Sequence, residues 1–563
     1  MSEFNLLQDT DLLGIIVNRQ GAHNNHENYV NLFKLAGINK EWRRVVAGAV
    51  AGPLTEDAAK FMSNIALLYQ SGDFAVIVRG LCYFQYMKQS PLQLYGITAI
   101  HVACTTGRHL HDTRVLKESA KAGGVEAVVG AMVMNPSSLS LNIVCTRMLA
   151  MYALYRPPNS SWGGWTNRRG KTGVNAVLNA MKRFPNSLDM QRCGMACLVG
   201  MCKTILISVS VFRTAPSTTC KHSILLMGGL QVALEAMRVH FDADLHVDIC
   251  KLFTEFHQNA LSWQHMVGVQ NVGNVHVIVE ALRHNVAGMN HRATRRICKL
   301  LLGLANETLF MEQLLTIVEI PGVLVDILRQ VVANIHTETP QEAIKNHQTT
   351  LSVTCLLKRF FLLQNHPFIR RFVLVPQSIA AFLQILQYYH DITISPPSSL
   401  FTRSKHIDHK QCLRVQENVC TCLLDLTFVD NFAENAVQAG AVPLMLNVIV
   451  EMENPRVRRI ACRALANVIA NDNDERSLFL YAGGLQKFAT MMRALSSTDR
   501  ESLFSGCDLL LQLVEFPNYR TAMLQVGFLE ITNTHVQALE AQNRHTVGCG
   551  RLHDRLQAHA AAV

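Results

Sequence analysis

Ala439-Gly440-Ala441-Val442, Ala482-Gly483-Gly484-Leu485 and Val526-Gly527-Phe528-Leu529 are three copies of one short element, a small turn opening an apolar helix, set about 43 to 44 residues apart. Between the first two copies runs Val457-Arg458-Arg459-Ile460-Ala461, leading to Ala464-Leu465-Ala466-Asn467. Its apolar residues recur at i, i+3, i+4 and i+7, the helical spacing, and do not alternate as a strand would. A fixed period of this length belongs to arrays of two- or three-helix units, each of which buries its apolar face only by stacking on its neighbours.

The same elements continue toward the N-terminus. Ala122-Gly123-Gly124-Val125, Thr172-Gly173-Val174, Met227-Gly228-Gly229-Leu230 and Pro321-Gly322-Val323 repeat the turn, and Ala180-Met181-Lys182, Ala236-Met237-Arg238, Ala281-Leu282-Arg283 and Met491-Met492-Arg493 end the helices that follow. A second helix pattern recurs at Leu92-Gln93-Leu94-Tyr95-Gly96 and Met190-Gln191-Arg192-Cys193-Gly194. The chain resembles the armadillo family, most clearly from Ala439 to Asn473 and from Ala482 to Asn518, and recognisably from about Val78 onward. That resemblance implies an all-α, right-handed superhelical solenoid of about eight to nine repeats, with one helix of each lining a concave groove. The expected organisation is an N-terminal segment over residues 1–60, the solenoid over 61–530, and a C-terminal helical cap and tail over 531–563.

Four stretches interrupt the period, at residues 156–170, 207–222, 334–347 and 391–410; their Pro, Ser, Asn and Thr content predicts loops at one edge of the stack. The first holds Trp162-Gly163-Gly164-Trp165, read as a loop tucked on that edge or, alternatively, as a partner-binding finger. The β-branched run from Thr204 to Phe212 fits no helix pattern.

The 563 residues are 49% hydrophobic and 17% charged, a composition that excludes disorder for most of the length. Even the apolar stretch Leu351 to Val375 is broken by Lys358, Arg359, Arg370 and Arg371, so no membrane insertion is expected. The N-terminus has no basic segment leading into an apolar one, and the sixteen cysteines fall mostly in apolar helical pattern, which predicts reduced core thiols in the cytoplasm or nucleus. Lys and Arg number 52 against 42 Asp and Glu, a net +10 that favours an acidic partner without demanding nucleic acid.

Motifs for catalysis or phosphate cradling are missing, and no cofactor is expected. His406-Ile407-Asp408-His409-Lys410-Gln411-Cys412 is the best metal candidate but lacks a fourth donor, so no metal site is assigned. Binding is the remaining activity. In armadillo proteins of the nuclear-import type a Trp-x-x-x-Asn ladder holds basic peptides; this chain has Arg463 four residues before Asn467 and Leu302 four before Asn306, which disfavours a basic peptide. Arg292, Arg295, Arg296 and Lys299 form one helical stripe and Arg456, Arg459 and Arg463 another. On successive groove helices they would hold an acidic or phosphorylated segment, with Arg459, Arg463, Asn467, Arg292, Arg296, Lys299 and Asn306 as the binding set; the competing reading is a solvated face.

The N-terminal Leu12-Leu13-Gly14-Ile15-Ile16, followed by Leu32-Phe33-Lys34-Leu35 and ending Lys40-Glu41-Trp42-Arg43, is similar to an F-box motif over residues 10–48. That similarity implies a ubiquitin-ligase adaptor held through Leu35 and Trp42; the alternative is a helical cap over the first repeat. The expected function is thus a non-catalytic protein-interaction scaffold. A substrate receptor of a cullin-type ligase and a nucleic-acid-binding solenoid are the rivals, the latter less favoured.

Overall fold

The computed structural model describes residues 74–84, 90–106, 113–155, 173–202, 216–257, 272–306, 308–334, 340–362, 367–375, 377–394, 409–429, 432–452, 454–470, 473–495, 499–542 and 547–562, together with Ile65, Leu68 and Gly72. The F-box-like segment with Leu35 and Trp42, the Trp162–Trp165 loop and the run 204–212 lie outside them. Among the described residues every regular element is an α-helix and there is no strand.

Two compact units divide the chain at Gln270/Asn271. The first contains α1 (Phe74–Phe84), α2 (Ser90–Thr106), α3 (Thr113–Lys121), α4 (Gly124–Met134), α5 (Leu139–Tyr155), α6 (Gly173–Arg183), α7 (Leu188–Cys202), α8 (Pro216–Leu226), α9 (Gly229–Val239) and α10 (Ala243–His257). The second contains α11 (Val272–Ala287), α12 (His291–Leu304), α13 (Thr308–Thr316), α14 (Ile320–Asn334), α15 (Pro340–Phe361), α16 (Pro367–Leu374), α17 (Ser378–Ile394), α18 (His409–Leu426) and α19 (Phe432–Gln438). It continues with α20 (Ala441–Glu451), α21 (Pro455–Ala470), α22 (Asn473–Tyr481), α23 (Gly484–Ala494), α24 (Arg500–Val514), α25 (Pro517–Val526), α26 (Phe528–Glu540) and α27 (Val547–Ala562).

Within each unit the helices sort into layers by their packing partners. In the second, every third helix packs on the next of its kind, α12 on α15, then α18, α21, α24 and α27, while α11, α14, α17, α20, α23 and α26 make a parallel layer. In the first, α2, α5, α7 and α10 form the one layer and α1, α4, α6 and α9 the other. This nearest-neighbour stacking is the armadillo-like helical solenoid. Of the segment 531–563, expected as cap and tail, most belongs to α26 and α27, which pack in the same two layers.

The glycine turns work through backbone geometry. Gly483, at φ +71°, reverses the chain between α22 and α23, and a Cβ on the next residue, Gly484, would stand 2.6 Å from the Phe479 carbonyl oxygen. The first glycine supplies the left-handed conformation and the second the close approach. Gly322 does not share this role: it lies inside α14 with no positive φ, because that helix already begins at Ile320.

A buried polar side chain fastens the layers. At the fourth residue of the third-place helices stand Gln93, Asn142, Gln191, His246 and Arg458. Each addresses backbone carbonyls left open at the end of the preceding helix: Gln93 Nε2 donates to Leu81 (3.1 Å), Gln191 Nε2 to Met181 (2.9 Å) and Phe184 (3.0 Å), and Arg458 Nε to Ile449 (3.1 Å). Such carbonyls have no partner within their own helix, and a buried one is costly to leave unsatisfied.

The inserted stretches are shorter than expected. Pro216 opens α8, Pro340 opens α15 and α17 runs to Ile394, so parts of 207–222, 334–347 and 391–410 are helical. Phe360, Phe361, Phe368, Phe372 and Phe382 are fully buried and pack edge-to-face or tilted, with ring centroids 4.6 to 6.4 Å apart along the cluster. The apolar excess of Leu351 to Val375 goes into this core. No single helix among the described residues is long and apolar enough to cross a membrane.

Candidate groove on the third-helix layer

The four helices α12, α15, α18 and α21 present one outer face, and its charged residues are mostly cationic. Arg292, Arg295, Arg296 and Lys299 stand on α12, Lys358 and Arg359 on α15, Lys410 and Arg414 on α18, and Arg456, Arg459 and Arg463 on α21. Between them opens a cavity of about 740 Å³. Lys358, Arg359, Lys410, Arg414 and Arg456 line it together with Asn306, Leu302, Leu362 and Leu413, and Glu417 is its sole carboxylate.

Glu417 Oε1 accepts from Lys358 Nζ at 2.9 Å and lies 3.2 Å from Arg456 Nη2, so one acid holds two cations. Arg359 donates its Nε to the Ala305 carbonyl at 3.4 Å, and Arg414 has no ion pair or hydrogen bond among the described residues. On α12, burial holds the Arg295 guanidinium below its ordinary pKa, and the like charges of Arg296 and Arg292 add to the effect.

Across the next helix the sign reverses. Glu501 and Asp508 on α24 and Glu515 just past its end are exposed; Glu501 pairs with Arg459 at 2.7 Å, Glu515 with Arg555, and the Asp508 carboxyl, its pKa pushed up by burial, is opposed by Arg463 and Arg551. The cationic face therefore ends at α21.

The sequence-predicted binding set is only partly brought together. Asn306 lines the cavity, and Arg463 is exposed on α21. Arg459 is already paired with Glu501, and Asn467 donates its Nδ2 to Thr427 Oγ1 at 2.8 Å, tying α21 to the end of α18. The two stripes do not stand on successive helices, because α15 and α18 lie between α12 and α21. Arg292, Arg296 and Lys299 thus occupy the far edge of the face from Arg459 and Arg463. Sequence reasoning missed the residues in the middle, Arg359, Lys410 and Arg414. Of the metal candidate that lacked a fourth donor, residues 406–408 lie outside the described residues, His409 is exposed at the start of α18, and Cys412 is fully buried.

No family model matches the chain, and no curated protein matches it. Among solved structures, it is similar to an engineered protein from the Northeast Structural Genomics Consortium at 14% identity and a TM-score of 0.46, over 86% of this chain and 98% of that one. A designed armadillo repeat protein matches at 12% identity and a TM-score of 0.34, over 50% of this chain and 99% of its own. Computationally designed armadillo repeat proteins for modular peptide recognition match at 12% identity and 0.34, over 50% and 98%.

Proposed function

We propose that the chain is a protein-interaction scaffold whose second unit binds an extended acidic segment across the outer face of α12, α15, α18 and α21. One observation carries this reading: cations are in excess on that face over four neighbouring helices. On three second-layer helices, α9, α11 and α14, surface charges come in i,i+3 pairs, Glu235–Arg238, Glu280–Arg283 and Asp326–Arg329. On the third-layer helices of the first unit Arg192 pairs with Asp242 and Lys251 with Asp248. A face whose task is solubility mixes signs in this way; one that keeps cations in excess over four neighbouring helices is complementary to an anion.

Helix axes packed about 8–10 Å apart make the face roughly 25–30 Å long, the reach of about eight extended residues. Leu302, Leu362 and Leu413 give that segment apolar contacts, and the reversal at α24 marks where it stops. Single-stranded nucleic acid uses aromatic stacking platforms, and among the described residues no aromatic side chain lines this cavity.

The test is fluorescence polarisation with a labelled peptide of eight alternating aspartates and leucines on the full chain. Binding is expected, with an affinity that drops as salt rises from 50 to 300 mM, and Arg359→Glu together with Arg414→Glu is expected to abolish it. Undiminished binding by that double variant refutes the assignment, as does a tighter grip on a single-stranded oligonucleotide of equal charge.

A further inference from the structure

We infer that the cavity between α12, α15 and α18 is a phosphate subsite, which takes a phosphorylated serine or threonine of the bound segment between Arg359 and Arg414. The inference rests on the groove reading above and deepens it.

Charge partition is the first argument. Lys358 and Arg456 share Glu417, so that part of the cavity is internally compensated. Arg359 and Arg414 have no carboxylate partner among the described residues, yet both line the same cavity. Their planar forks present several N–H donors each, a geometry made for oxyanions. A side-chain carboxylate brings a single charge and two oxygens and so satisfies one fork. A phosphate monoester brings about −1.5 to −2 and three acceptor oxygens, which suits two forks on facing helices.

Room is the second. The cavity holds about 740 Å³, with Leu302, Leu362 and Leu413 on its walls, room for a phosphate and the side chain beside it.

The measurement uses the full chain and three labelled peptides of identical sequence, acidic at both ends, with a central serine, phosphoserine or glutamate followed by leucine. The phosphoserine form is expected to bind about tenfold more tightly than the glutamate form, and the serine form most weakly. Arg359→Ala and Arg414→Ala should each erase the phosphoserine advantage, weakening the phosphoserine peptide about tenfold more than they weaken the glutamate peptide. Arg359→Lys and Arg414→Lys keep the charge but not the fork, and are expected to lose most of the advantage without loss of fold, checked by circular dichroism. Equal affinity for phosphoserine and glutamate, or an advantage that survives in all four variants, overturns the phosphate subsite while the acidic groove stands. Failure of every acidic peptide to bind overturns both. Displacement of the phosphopeptide by inorganic phosphate at the same concentration as by the serine peptide would show only a nonspecific anion site and likewise overturns it.

Discussion

Arg458 and Asp499 form an ion pair at 2.6 Å whose side chains are 10% and 14% exposed, and through it one carboxylate serves two helices. Asp499 Oδ2 accepts from Arg458 Nη1, while Oδ1 accepts from the backbone N–H of Ser502 at 3.3 Å and so caps α24. The same guanidinium donates to the carbonyls of Ile449 and Met452, which close α20. Three helices of two neighbouring repeats are thus joined by a pair of side chains.

Replacing Arg458 by Leu is expected to destabilise the second unit by about 3–5 kcal/mol, since it strands a buried carboxylate and two carbonyls. Asp499→Asn keeps an acceptor for the cap and should cost less, about 1–2 kcal/mol. Urea unfolding followed by circular dichroism decides it. Equal effects from the two variants would show that the carbonyl contacts are not what Arg458 contributes.

Arg458 also shows where the sequence is legible and where it is not. In Arg456-Val457-Arg458-Arg459, the helical spacing puts Arg456, Arg459 and Arg463 on one stripe and leaves Arg458 off it, which is a signal of burial. Repeats were readable because the left-handed turn at Gly440, Gly483 and Gly527 admits few other residues, so their spacing survives in the letters. Loop bounds were not: Pro216 and Pro340 sit in first turns, where proline suits a helix, yet their Pro- and Thr-rich surroundings look like loop. The middle of the groove was hidden for a different reason. Lys358 and Arg359 interrupt an apolar run whose phenylalanines fill the core, and only the packing of α15 between α12 and α18 sets that interruption beside the cations of its neighbours.

Glu417 restrains the groove it lies in. Glu417→Gln removes the acid that holds Lys358 and Arg456, and is expected to raise affinity for an acidic peptide by about threefold to tenfold at 50 mM salt, with the gain shrinking at 300 mM. Charge reversal at Arg459 and Arg463 together should weaken the same peptide by about tenfold or more. Reversal at Lys487 and Arg493 is the control: both are on α23 and are engaged by Asn447 Oδ1 (2.8 Å) and the Val526 carbonyl (2.9 Å). If the control pair weakens binding as much, the peptide does not lie on the third-helix face.

Cys355 offers a direct report of occupancy. Among the described cysteines only Cys193 and Cys355 are not buried, and Cys355 lines the groove cavity, where Asn418 Nδ2 donates to its Sγ at 3.2 Å. N-ethylmaleimide is expected to modify both. Saturating acidic peptide should slow modification of Cys355 at least about fivefold and leave Cys193, in the first unit, unchanged. Peptide mapping by mass spectrometry reads the two sites separately. Parallel protection of both thiols, or of neither, would contradict a peptide seated in this cavity.

Asp425, two turns along α18 from Glu417, gives the groove a pH signature. Its carboxyl is half-buried, Oδ2 has no hydrogen-bond partner, and burial raises its pKa from 3.8 to about 6 against the pull of Lys358. A folded-state pKa above the unfolded one means that the folded chain holds the proton longer. The associated stability is fully present below about pH 3.8 and is lost as pH rises through about 6. A fully buried carboxyl with that shift would lose about 3 kcal/mol; solvent screening of a half-exposed one reduces this to about 1 kcal/mol. Asp425→Asn cannot ionise, so the variant should gain on wild type between pH 4 and pH 7 by about 2 °C in melting temperature, and keep a constant offset above that. Lys358→Met should widen the difference, because the nearest cation favouring the ionised form is gone. Parallel melting-temperature curves for wild type and Asp425→Asn from pH 4 to pH 7 would show that Asp425 titrates as freely in the folded chain as in the unfolded one.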